Sequence, residues 1–76
     1  MDEEVFNLEV RKFLKHFGLT AQREIEKAVE AALRAGKLGG NETLPVTATI
    51  AIPGVLPAVD INGRIALGGQ GTPAKG

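Results

Sequence analysis

Two hydrophobic periodicities divide the chain into a helical first half and a β-patterned second half. Phe6, Val10, Phe13 and Phe17 recur at steps of four, three and four residues, which is the period of one helix face. Acidic residues lie at the start of this segment and basic residues lie toward its end, as the helix dipole favours. The pattern predicts a first helix over residues 2–17, with the aromatic stripe facing the core.

A second helical stripe follows after a short interruption. Ile25 and Val29 lie at its centre, and the pattern predicts a second helix over residues 21–35. Gly18 is suited to end the first helix, because a residue without Cβ adopts the left-handed conformation easily. Thr20 is suited to cap the second helix with its hydroxyl. We therefore expect a helix-turn-helix hairpin.

The segment from residue 44 to residue 67 alternates apolar and polar positions with the period of a half-buried strand. Pro53 to Ala58 interrupts it, which predicts two strands and a six-residue loop. That loop would pair Ile52 with Val59, Ile50 with Ile61, and Val46 with Ile65.

Asn62-Gly63 is the alternative position for the turn, because this dipeptide favours two-residue hairpin loops. A turn there would place Ile61 opposite Arg64 and Asp60 opposite Ile65, which sets apolar side chains against charged ones. A strand that runs straight through keeps its apolar residues on one face. We favour the straight strand and keep the turn as the alternative.

These elements define an α+β fold: a helix-turn-helix hairpin followed by a two-stranded antiparallel β-ribbon, in the order ααββ. We expect one small domain over residues 1–67. Residues 68–76 carry no apolar periodicity, and their composition predicts a flexible, disordered tail.

Composition narrows the chemistry that is open to this chain. Its 76 residues include no Cys, no Ser and one His, so disulfides, thiolate zinc sites and serine or cysteine nucleophiles are excluded. We expect no enzyme, and no catalytic, cofactor-binding or metal-binding residues. The acidic N-terminus lacks the features of a signal peptide, and no apolar run is long enough for a membrane span. We therefore expect a cytoplasmic protein that does not enter the membrane.

The leading functional hypothesis is a small protein-interaction module that forms a homodimer. A chain this short buries a limited core, and a two-stranded ribbon is marginal alone. Thr47 and Thr49 lie on an uncharged first strand, whose edge is weakly protected from pairing. Leu8 lies on the outer face of the first helix, away from the aromatic stripe. These three residues are the candidates for self-association.

The alternative hypothesis is a nucleic-acid-binding regulator that uses the helix pair and the ribbon. Nine basic residues balance nine acidic ones, and this zero net charge argues against nucleic acid as a partner. The candidate contacts are the basic residues of the two helices: Arg11, Lys12, Lys15, Arg23 and Lys27.

Several segments together resemble a family of small bacterial proteins of unknown function. They are VFN, RKFLKHFG, LTAQREIEKAV, AGKLGGNETLPV and the final GRIAL, which are spread over residues 1–67. The resemblance implies a bacterial, cytoplasmic setting. It brings no assigned activity and no site residues.

Overall fold

One long helix and one β-ribbon make up the structure. The computed structural model describes residues 1–69 and contains α1 (Glu3–Arg34), β1 (Thr43–Ile52) and β2 (Leu56–Ala66). The α+β class is confirmed. The predicted tail, residues 68–76, lies outside the described residues from position 70 onward.

The chain divides into two compact units. The first is Met1–Lys37, which contains the helix, and the second begins at Leu38 and contains the ribbon. The prediction of a single domain over residues 1–67 stays a prediction.

The predicted helix-turn-helix hairpin is wrong, because α1 continues through Gly18 for 32 residues. A glycine inside a helix costs only about 1 kcal/mol relative to alanine. A break would leave up to eight more backbone groups without helical partners, since each helix end exposes about four. The apolar stripe also continues at steps of four, from Phe17 to Ala21 to Ile25. Gly18 and Thr20 therefore lie within the helix instead of ending and starting one.

Residues adjacent to each end of α1 cap the helix. The Asp2 carboxylate accepts hydrogen bonds from the amides of Glu4 (3.0 Å) and Val5 (3.2 Å). At the other end Gly36 has a φ of 80°, and its amide donates to Leu33. The Lys37 amide donates to the Ala32 carbonyl at 2.9 Å, which completes a Schellman motif.

The ribbon confirms the predicted strand faces and the straight passage through Asn62-Gly63, which lies within β2. The strands are antiparallel. Apolar residues pair on one face, namely Leu44 with Ile65, Ala48 with Ile61, and Ile50 with Val59. Thr47 with Asn62, and Thr49 with Asp60, pair on the other face.

The predicted register is wrong by two residues, because the turn is tighter than a six-residue loop. The Val55 amide donates to the Ile52 carbonyl at 2.9 Å, and Gly54 has a φ of 80°. Proline at the second position and a positive φ at the third are typical of a type II turn. Ile52 therefore pairs with Leu56, and a register shift follows before Ile50 pairs with Val59. A shift of two keeps every side chain on its predicted face.

Candidate functional site

An exposed apolar stripe lies on the first half of α1. We call it the phenylalanine stripe, and it consists of Phe6, Val10, Phe13, Leu14 and Phe17. These side chains are 39–54% exposed. The expectation that they face a core is wrong, because none of the residues from 1 to 69 is buried. Three turns of helix thus present large apolar side chains to solvent, and such patches mark interaction surfaces.

The apolar side of α1 is less exposed in the second half of the helix than in the first half. Ala21, Ile25, Val29 and Ala32 continue the apolar side of the helix, and all four are half-buried. The most exposed large side chains on that side of α1 belong to the stripe, and Leu33 further along the helix is 41% exposed. An interaction surface on α1 is accordingly best placed in its first five turns.

Leu8, one of the predicted self-association residues, is 58% exposed on α1. With Glu4, Asn7 and Arg11 it lines a shallow depression on the helix surface. Leu8 itself lies on the opposite side of the helix from the phenylalanine stripe, because each residue turns the helix by about 100°. Leu8 has polar neighbours in this depression, and its role in self-association stays a prediction.

Thr47 and Thr49 lie on the polar face of the ribbon, and both hydroxyls have partners there. Thr47 donates to Asn62 Oδ1 at 2.9 Å, and Thr49 donates to Asp60 Oδ1 at 2.8 Å. These exposed pairs tie β1 to β2, since cross-strand contacts of this kind stabilise a sheet by about 0.2–1 kcal/mol each. Self-association through the two threonines stays a prediction.

The five basic residues proposed for nucleic-acid contact all lie on the single helix α1. They are Arg11, Lys12, Lys15, Arg23 and Lys27. Lys12 pairs with Glu9 and Lys27 pairs with Glu24, each at 3.3 Å and each exposed. Acidic neighbours therefore weaken the positive field of this surface. Nucleic-acid binding stays a prediction, without the helix pair that suggested it.

The loop that precedes β1 forms a small anion cradle, which is filled by the carboxylate of Glu42 from the same loop. Glu42 accepts hydrogen bonds from the amides of Gly39 (2.7 Å) and Gly40 (2.9 Å). The Gly39 bond, followed by the Gly40 bond, lowers the pKa of Glu42 below its usual value. The same residue's carbonyl accepts from the Leu67 amide at 2.8 Å and closes the open end of the ribbon.

Over residues 1–69, no group of three or more His, Cys, Asp or Glu side chains could hold a metal ion. Within that range no helix has the length and apolar character to cross a membrane. His16, the single histidine, lies on the exposed surface of α1.

Sequence reasoning found the residues of the phenylalanine stripe but assigned them to a core. The spacing of these residues also fits an exposed surface that binds a second helix. The steps of four, three and four residues are the spacing of a coiled-coil seam, in which the partner is another helix. The exposure itself follows only from the tertiary structure.

The fold and this surface define a small α+β protein with a long capped helix, an exposed aromatic stripe and a two-stranded ribbon. Residues 1–68 match the family of unknown function DUF6494, and the chain belongs to that family. The resemblance to a family without assigned activity is thereby confirmed. No curated protein and no solved structure matches the chain.

Proposed function

We propose that this protein is a small non-enzymatic interaction module that works as a homodimer. The observation that carries the proposal is the exposure of the phenylalanine stripe in a molecule whose described residues include no buried side chain. A monomer of this kind leaves unused the apolar burial that normally drives folding. A second copy would supply the missing apolar surface.

The energy available from the stripe is large enough to matter. Full burial of one large apolar side chain contributes about 1.5–3 kcal/mol. The five stripe residues are 39–54% exposed, so their remaining burial is worth roughly 3.5–7 kcal/mol per chain. Two copies would contribute about twice that amount. Association itself costs about 4–15 kcal/mol, so a dimer has to use most of the stripe.

Non-enzymatic function is supported by the placement of the reactive side chains. His16 is exposed on the helix, and the Thr47 and Thr49 hydroxyls hydrogen-bond across the ribbon. Nucleophilic catalysis needs a nucleophile and a base within hydrogen-bonding reach of each other. An interaction surface is therefore better supported than an active site.

Sedimentation equilibrium of the full chain over a micromolar concentration range tests the proposal. One chain has a mass of 8.0 kDa, and we expect a concentration-dependent rise to twice that mass. The helical signal in circular dichroism should rise together with the mass, because folding and assembly are coupled in such dimers. A mass that stays at 8.0 kDa at the highest concentration would refute the proposal.

A further inference from the structure

The phenylalanine stripe has the spacing of a short coiled-coil seam. Phe6 and Phe13 occupy one heptad position, and Val10 and Phe17 occupy the other, so the steps alternate between four and three. The next seam positions on either side are Glu3 and Thr20. The apolar seam is therefore 12 residues long, residues 6–17, and ends in polar layers.

One flank of this seam carries an ordered set of charges. Glu9, His16 and Arg23 recur every seven residues along the same side of α1, and the N-cap residue Asp2 stands seven residues before Glu9. Asp2 and Glu9 are acidic, Arg23 is basic, and His16 is counted as neutral at pH 7. The other flank carries uncharged residues at the corresponding positions, namely Asn7, Leu14 and Ala21.

This charge order distinguishes the two ways of pairing the helix with a copy of itself. In an antiparallel pair the charged flank faces the same flank of the second copy, which runs in the opposite direction. Glu9 then lies beside His16 of the second copy, and Asp2 lies beside Arg23 of the second copy. In a parallel pair the charged flank faces the uncharged flank, and neither of these two pairs forms. The charges thus favour the antiparallel arrangement.

We propose that the first half of α1 docks antiparallel on α1 of a second copy of this chain. Phe6 packs against Phe17, and Val10 packs against Phe13, so the two copies form four apolar layers. A layer of Glu3 and Thr20 closes each end. This inference rests on the proposed homodimer and specifies its interface.

The second half of the helix limits the length of the interface. Continued at the same spacing, the seam reaches Glu24, whose carboxylate pairs with Lys27 at 3.3 Å. A charged residue at a seam position is unfavourable because its burial removes it from water. The docked segment therefore ends before residue 24.

Matched substitutions test which face of the helix is used. Leu14 lies on the uncharged flank beside the seam and Leu8 lies on the opposite side of the helix, and they are 49% and 58% exposed. We expect Leu14→Gln to weaken dimerisation at least tenfold and Leu8→Gln to leave the dissociation constant within about twofold. Gln is nearly as good a helix former as Leu, so helix propensity changes little. Equal effects of the two substitutions would overturn the assignment of the face.

Disulfide cross-linking tests the direction of pairing, because the chain has no cysteine of its own. Phe6→Cys and Phe17→Cys chains are mixed in a glutathione redox buffer. The antiparallel dimer predicts cross-links between the two variants and none within either variant alone. Equivalent Cα atoms would lie about 16 Å apart along the axis, whereas a disulfide needs about 4.4–6.8 Å. A parallel dimer gives the reverse result and overturns the proposal.

Substitutions that change the charges on the charged flank test the pairing of the two flanks without altering the apolar seam. We expect Glu9→Lys to weaken the dimer several-fold and the double variant Glu9→Lys/His16→Glu to restore it. The double variant places opposite charges beside each other only across an antiparallel interface. If the double variant dimerises no better than Glu9→Lys while circular dichroism shows that its helical content is retained, the flank pairing is overturned. A chain that stays monomeric at all concentrations instead overturns the homodimer itself, so the two failures are distinguishable.

Discussion

Gly18 and Gly36 provide a direct test of the continuous helix. Gly18 lies inside α1, whereas Gly36 ends it with a φ of 80°. A Cβ added at either position would meet no atom within 4 Å other than its immediate chain surroundings. Steric crowding is therefore the same at both sites, and replacement by Ala reports only the backbone conformation.

The two substitutions should have opposite signs. Gly18→Ala should stabilise the helix by about 0.5–1 kcal/mol, because Ala loses less conformational entropy than Gly in a helix. Gly36→Ala should destabilise it by about 1–2 kcal/mol, because an L-residue is strained in the left-handed region. In a domain of this size, 1 kcal/mol shifts the melting temperature by roughly 4–8 °C.

Thermal unfolding followed by far-ultraviolet circular dichroism measures both shifts. All variants are compared at one chain concentration, because assembly would make the melting temperature depend on concentration. A lower melting temperature for Gly18→Ala would refute the continuous helix. It would instead indicate a turn at Gly18 with positive φ, as the helix-turn-helix hairpin requires.

Three further predictions concern the helix start, the turn and the cradle. Asp2→Ala should lower helix stability by about 1 kcal/mol, because two amides lose their acceptor, and Asp2→Asn should retain most of it; circular dichroism measures both. Gly54→Ala should strain the type II turn and speed hydrogen exchange of the Val55 amide. Because the pKa of Glu42 is lowered, its contribution to stability is present above its usual pKa of 4.5 and is lost as the pH falls through the lower folded value. Acid titration should therefore shift the Gly39 amide resonance in the wild type and not in Glu42→Gln; an identical titration in both would contradict the cradle.

The strand faces and the path of β2 follow from the sequence alone. Side chains alternate between faces with a period of two, so Val59, Ile61 and Ile65 had to share a face if the strand ran straight. A turn at Asn62-Gly63 would have paired apolar with charged residues, and the chain avoids it. The pattern carries this information because a one-residue error reverses every side chain.

The pairing register of the two strands, in contrast, does not follow from the hydrophobic pattern. A shift of two residues leaves the hydrophobic pattern unchanged, so the pattern cannot distinguish the two pairings. The tight turn at Pro53-Gly54 decides between them. Only then do Thr47 and Thr49 meet Asn62 and Asp60.

The sequence by itself determined the class, the strand faces and the members of the phenylalanine stripe. Only the tertiary structure decided that one helix passes through Gly18 and that the stripe stays exposed. The reason for the first is that capping signals such as Gly18 and Thr20 are local and weak, whereas helix formation is cooperative over many residues. The reason for the second is that periodicity identifies an apolar face but not the surface that covers it.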